Sequence, residues 1–222
     1  MGRSACLVLS AFGDRHSEEG SDLRGWVQRV AALVMAVAAL GASRPGPADP
    51  VVALHAGLVQ ASAAPGGPSQ PAIEALATRS FDMGAITLSV LGAEGRAATL
   101  AQKMRLSHVL LVRLARQIAL AGRQSANDGF SVVGTQALGA SDWLVTTREL
   151  RPAASGAKPQ PRDLAWRVRR DGARFRIVDT QLQGLSTVGV EHDDFAAELK
   201  GRDIETVIAQ MEHRAANPQP GF

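Results

Sequence analysis

Five histidines are scattered along the 222 residues, as His16, His55, His108, His192 and His213. His192-Asp193-Asp194 is the one cluster of a histidine with successive carboxylates. A catalytic zinc takes three protein ligands and a structural one takes four. The His-Asp-Asp run offers no third partner at suitable spacing. It reads instead as the acidic first turn of a helix, where carboxylates favour the dipole. The single cysteine, Cys6, cannot close an intramolecular disulfide and is remote from any histidine cluster. No P-loop, dinucleotide glycine pattern or nucleophile elbow is present. Asp179, on an apolar stretch, and His108 are the two candidates for a general base. A carboxylate in such a stretch is more commonly held by an arginine or by backbone amides. No catalytic residue, metal site or cofactor is therefore expected.

The densest charge cluster is basic: Arg162, Arg167, Arg169, Arg170, Arg174 and Arg176. One reading is a solvated outer face. The other is a docking surface for an acidic partner or an anionic membrane, carried by Arg167 and Arg169. The whole chain has 24 basic and 21 acidic residues, too small an excess for a nucleic-acid binder.

These arginines belong to the most legible element. Leu164, Trp166 and Val168 alternate with small or charged residues, the period of a half-buried strand. Asp171-Gly172 supplies a tight turn. Phe175 and Ile177 continue on the return strand, and at Val178 the alternation slips. That slip predicts either a bulge or burial on both faces. Phe130 to Gln136 and Ser141 to Leu150 read as two earlier strands, so four strands form an antiparallel meander.

Helices flank this sheet on both sides. Asp49-Pro50 starts one, with Asp49 as N-cap. A short helix follows from Ala72 to Arg79, and Asp82 caps another that Gly92 ends. The longest runs from Leu100 to Ala121, capped by Thr99 and stopped by Gly122. Leu100, Met104, Leu111, Ala115 and Ile118 share a face, which Leu110 and Leu114 widen. Arg105, Arg113 and Arg116 form a solvated stripe. Helices at Glu191 to Leu199 and Asp203 to Ala216 close the chain. The fold class is α+β: helices on a curved four-stranded antiparallel sheet, with space for an apolar pocket between them. If the facing side chains stand apart, Leu110, Leu111, Leu114, Ile118, Trp143, Val145, Trp166, Val168, Phe175 and Ile177 line that pocket.

The leading region reads differently. Val30 to Ala42 is the most hydrophobic run, preceded by Arg24 and Arg29 and followed by small residues and prolines. This is the layout of a secretory signal peptide, and the run is short of the roughly 20 residues that span a bilayer. Asp14, Glu18, Glu19 and Asp22 do not suit a signal, which predicts a true start near Leu23 or Val27. The expected organisation is residues 1–48 as signal peptide with an over-extended start, then a single domain over 49–222.

Four segments, in order, resemble a known family. They are Phe81-Asp82-Met83 with Ile86 and Val90-Leu91-Gly92; the long Leu/Arg helix; Trp166 to Gly172 with Phe175 to Asp179; and Gly184-Leu185-Ser186 followed by Asp194-Phe195-Ala196. Together they look like the MlaC-like periplasmic lipid-binding proteins, also called toluene-tolerance proteins. The FDM-x-AIT wording is similar to the hopanoid-associated, HpnM-like branch. The chain departs from the family at Glu94-Gly95, Leu114 and Gln183. The resemblance implies an NTF2-like cone and a monomeric periplasmic carrier of a phospholipid or hopanoid-related lipid. Its implied partners are an inner-membrane ABC transporter complex and an outer-membrane lipoprotein complex. An enzyme on a related fold and a cargo-free adaptor are the alternatives.

Overall fold

Side chains that take up orphan amides set four of the six described helix starts. The computed structural model describes residues 45–124, 129–151 and 160–217. Among them are six helices and five strands. They are α1 (Asp49–Ser62), α2 (Gln70–Ser80), α3 (Met83–Leu91), α4 (Leu100–Gln124), β1 (Ser131–Ala137), β2 (Asp142–Arg151), β3 (Gln160–Asp171), β4 (Arg174–Leu182), β5 (Leu185–Ser186), α5 (Thr187–Leu199) and α6 (Ile204–Ala216). The run Val30 to Ala42, on which the signal-peptide reading rests, lies outside the described residues.

Asp82 Oδ1 accepts from the Ala85 amide at 2.9 Å and opens α3. Thr99 and Gln102 satisfy each other's amides reciprocally at the start of α4, at 2.9 and 3.2 Å, a capping box. Gly92 ends α3 with φ +54°, the left-handed region that costs glycine least. One expected cap differs. Asp49 is the first helical residue and Ala48 the N-cap; the Asp49 carboxylate accepts instead from the Gly46 amide at 2.8 Å. Gly122 does not stop α4, which continues to Gln124. A Cβ at Gly122 would sit 3.7 Å from Leu58, so that position lies close to α1.

The sheet order is β1-β2-β3-β4-β5, every pair antiparallel. The fifth strand was not expected, because two residues carry no periodicity. The slip at Val178 is a bulge: Arg167 pairs with Asp179 and Val168 with Ile177, leaving Val178 as the extra residue. The bulged segment is also held by the chain after α2, where the Asp82 amide donates to the Ile177 carbonyl at 2.9 Å.

The core lies between the helices and the inner sheet face. Leu54 of α1, Ile73 of α2, Val90 of α3, Leu106 and Val109 of α4, Val145, Val168 and Ile177 of the sheet, and Val207 and Ile208 of α6 are all buried. Fully burying one such aliphatic side chain stabilises by roughly 1.5–3 kcal/mol. The buried stripe of α4 is rotated from the expected face: Leu100 and Met104 are 74% and 64% exposed. Nor are its arginines a solvated stripe. Arg105 bonds Glu205 and Glu212, Arg113 pairs with Glu191, and Arg116 donates to the Ala215 carbonyl. These cations hold α5 and α6 against α4, a role that only tertiary contacts could assign.

Candidate functional site

Alternation along the strands decides which side chains face the helices. On β2 these are Trp143, Val145, Thr147 and Glu149; on β3 they are Arg162, Leu164, Trp166 and Val168. Register brings Val145 opposite Trp166, Thr147 opposite Leu164 and Glu149 opposite Arg162. Near Val145 and Val168 the helices close down on the sheet. Towards Glu149 and Arg162 they stand away from it, and a cavity of about 600 Å³ opens there. Leu54 and Leu58 of α1, Ile118 and Ala121 of α4, and Leu164 and Trp166 of β3 give it apolar walls. The Trp166 indole N–H donates to Thr147 Oγ1 at 2.8 Å, so the polar atom of that wall is satisfied within the sheet.

The lining also carries polar side chains, His55, Ser62, Glu149 and Arg162. Arg162 Nη2 meets Glu149 Oε2 at 2.9 Å, and both side chains are largely buried. His55 stacks on Phe130, ring centroids 3.9 Å apart and 13° from parallel. Burial pushes the His55 imidazole below its ordinary pKa, and the Glu149 carboxylate pulls it part of the way back. At neutral pH the histidine is thus uncharged. The aliphatic and indole walls of this cavity suit hydrocarbon, and its polar groups suit a ligand that also has a polar end.

The ten apolar residues singled out from the sequence do not share one cavity. Ile118 and Trp166 line the 600 Å³ space. Leu110 and Leu114 line a separate void of about 40 Å³ beside Asp179 and Glu191. Leu111 lies in an open groove between α3 and α4, with Met83, Leu88 and Met104. Val145, Val168 and Ile177 are fully buried. Trp143 packs edge-on against Phe175 at 5.1 Å, with the Arg170 guanidinium over both rings. Sequence reasoning passed over both His55 and Leu58 as lining residues. The spacing of Leu54 and Leu58, one turn apart, was the available signal.

Arg167 and Arg169 lie on the outer sheet face, both 3.2 Å from Asp142 Oδ1. Partial burial opposes ionisation of Asp142, but the hydrogen bond and charge of Arg169, with Ser141 and Arg167, hold its carboxyl below the usual range. Of the other candidates for chemistry, His108 lines the open groove beside Leu111, while Asp179 and His192 serve the fold. Asp179 Oδ1 accepts from the Val188 amide at 3.1 Å, completing the first turn of α5. His192 lies inside α5, not at its start, with Nδ1 2.9 Å from the Val90 carbonyl oxygen. Glu191 sits 2.9 Å from Arg113; burial raises its pKa, Arg113 lowers it and Asp194 adds to the rise. Among the described residues no group of three or more His, Cys, Asp or Glu could hold a metal ion, and no helix is long and apolar enough to cross a membrane.

Comparison with known proteins supplies a family and a similar fold. Residues 67–213 match the family model described as MlaC protein. No curated protein matches the chain. A solved structure of a phospholipid-binding protein from Ralstonia solanacearum, in complex with a phospholipid, is similar in fold. Its TM-score is 0.62 at 18% identity, over 76% of this chain and 93% of that one.

Proposed function

The chain belongs to the MlaC family, the phospholipid-binding carriers of the Mla lipid transport system, and on that premise we propose that its cargo sits in the cavity between α1, α4 and the sheet. The observation that carries this reading is the cavity itself: about 600 Å³, apolar-walled, between helices and sheet. That volume lies within the range of about 300–1,000 Å³ common to small-molecule sites. Each acyl methylene transferred into it from water contributes roughly 0.8 kcal/mol, so tails supply the affinity without a head-group contact. Leu54, Leu58, Ile118 and Trp166 form the tail-binding wall. Leu110, Leu111 and Leu114 extend it if the two smaller spaces join the cavity when a lipid enters.

The family is one of carriers and not of enzymes, and Asp179 is occupied by an α5 amide. The finer reading rests on sequence. The FDM-x-AIT segment supports the HpnM-like branch, and the Val30 to Ala42 run supports export to the periplasm, with 49–222 as the mature lipid-binding domain. There the carrier exchanges lipid with an inner-membrane ABC transporter complex and an outer-membrane lipoprotein complex. Arg167 and Arg169 face outward and serve one of these dockings, their charge partly offset by Asp142.

Organic extraction of the purified protein followed by mass spectrometry tests the cargo. A phospholipid or hopanoid-related lipid in near-stoichiometric yield is expected. A lipid-free protein that also fails to take up phospholipid from vesicles would return the chain to the cargo-free adaptor reading.

A further inference from the structure

A second concavity, about 630 Å³, runs between α1, the end of α2 and the β3–β4 turn. Its lining combines Pro50, Ala53 and Phe175 with three arginines, Arg79, Arg174 and Arg176. Arg170 stands close by, over the ring of Phe175 at 5.3 Å. Elsewhere most described arginines are compensated: Arg105, Arg113, Arg148, Arg162, Arg167, Arg169 and Arg214 have carboxylate partners, while Arg96, Arg116 and Arg202 stand apart from one another without one. Among the described residues, no carboxylate lies within ion-pair distance of Arg79, Arg170, Arg174 or Arg176. Arg176 donates only to the Phe81 carbonyl, at 3.2 Å. Asp49 is the one carboxylate residue in the lining, so three cations share the groove with one anion.

An independent feature lies at the same place. β4 is flanked by β3 on one side. On the other side β5 covers Gln181 and Leu182, and Phe81 bridges Ile177. No described strand lies beside Arg174–Arg176. An uncovered strand edge is a template for an added strand, and extended peptides bind in this way. Alternation would place every second side chain of such a peptide beside Arg174 and Arg176, and the others beside Phe175.

We propose that this groove docks an extended, acidic segment of a partner protein, which pairs with the free edge of β4 and sets its carboxylates against Arg79, Arg174 and Arg176. An anionic bilayer fits less well, because lipid headgroups offer no extended backbone to pair with the free edge of β4. The groove is separate from the cargo cavity, so lipid loading and docking are separable.

The test uses the full-length chain and a fluorescent peptide of alternating glutamate and valine, with a lysine-valine peptide for comparison. Anisotropy should show binding of the glutamate peptide alone, weakening as salt rises. The double variant Arg79→Glu with Arg174→Glu should weaken it by about tenfold or more, and Arg202→Glu, an exposed arginine outside the groove, by less than about twofold. The milder pair Arg79→Gln with Arg174→Gln should fall between them, which guards against misfolding of the reversal variant. Hydrogen exchange should show Arg174–Arg176 amides protected by the peptide, and co-purified lipid should be unchanged in all variants. The proposal is overturned if the parent does not bind the glutamate peptide, if the double variant binds as well, or if both peptides bind alike. Binding to phosphatidylglycerol vesicles in place of the peptide would assign the groove to membranes and likewise overturn it. Loss of lipid in the groove variants would merge it with the cargo site and refute the separation, while leaving the carrier reading standing.

Discussion

Trp166 and Thr147 are joined by a 2.8 Å hydrogen bond from the indole N–H to the hydroxyl, running diagonally across β2 and β3. Thr147 is fully buried, so the bond has no competition from water. It fixes the indole as a wall of the cavity. Replacing Thr147 by Val preserves shape but leaves the indole N–H unpaired, which costs roughly 1–3 kcal/mol. Urea denaturation should show this loss, and Thr147→Ser should recover most of it. Lipid recovered from the Val variant should also fall, because the wall loses its fixed orientation.

Two enlargements on α4 should behave oppositely. Ala121 lines the large cavity. Ala121→Phe should therefore occupy cargo space, cut co-purified lipid severalfold and leave the thermal midpoint nearly unchanged. Leu114 borders a void of only about 40 Å³. An indole does not fit there, so Leu114→Trp should destabilise by roughly 1–3 kcal/mol through overpacking. Thermal melts with lipid quantitation on the same preparations check both. Equal lipid content in Ala121→Phe and parent would remove the cavity from the cargo site.

Arg167→Glu with Arg169→Glu removes both cations that flank Asp142. Exposed pairs of this kind contribute about 0–1 kcal/mol each, so the melting midpoint should drop only slightly. Binding to partner complexes should weaken, more at low salt than at high. Surface plasmon resonance at two ionic strengths reads this. Unchanged binding would leave these arginines as solvated surface.

Acidification should act through His55. Its folded-state pKa lies below the ordinary value near 6.5 because of burial, while Glu149 limits the fall. The unfolded chain therefore binds the proton more readily. Stability is at its full value above about pH 6.5 and declines as pH falls below it, levelling off once the folded histidine also titrates. Denaturation midpoints measured between pH 7.5 and about 5 should show this slope, and His55→Phe should flatten it. A slope unchanged by the substitution would place the titration elsewhere.

Local signals in the chain determined much of the fold. Asp82, Thr99 and Gly92 marked helix ends because capping depends on side chains a few residues away. The parity change at Val178 located a bulge, since a strand's period of two registers one inserted residue at once. The ordered Trp166 and Phe175 segments carried the family resemblance that the match over residues 67–213 supports. Distance across the fold was not written locally. Periodicity says which side chains point inward and not how far apart the layers stand. Val145 and Val168 are therefore packed core, while Trp166 and Ile118 border open space. The charges behaved in the same way. Arg105, Arg113 and Arg116 read as a solvated stripe because their partners Glu205, Glu191 and the Ala215 carbonyl lie some eighty to a hundred residues away along the chain. Only the docking of α5 and α6 brought those groups within reach, and only the packed fold showed that Leu100 and Met104 lie outside the buried face of α4.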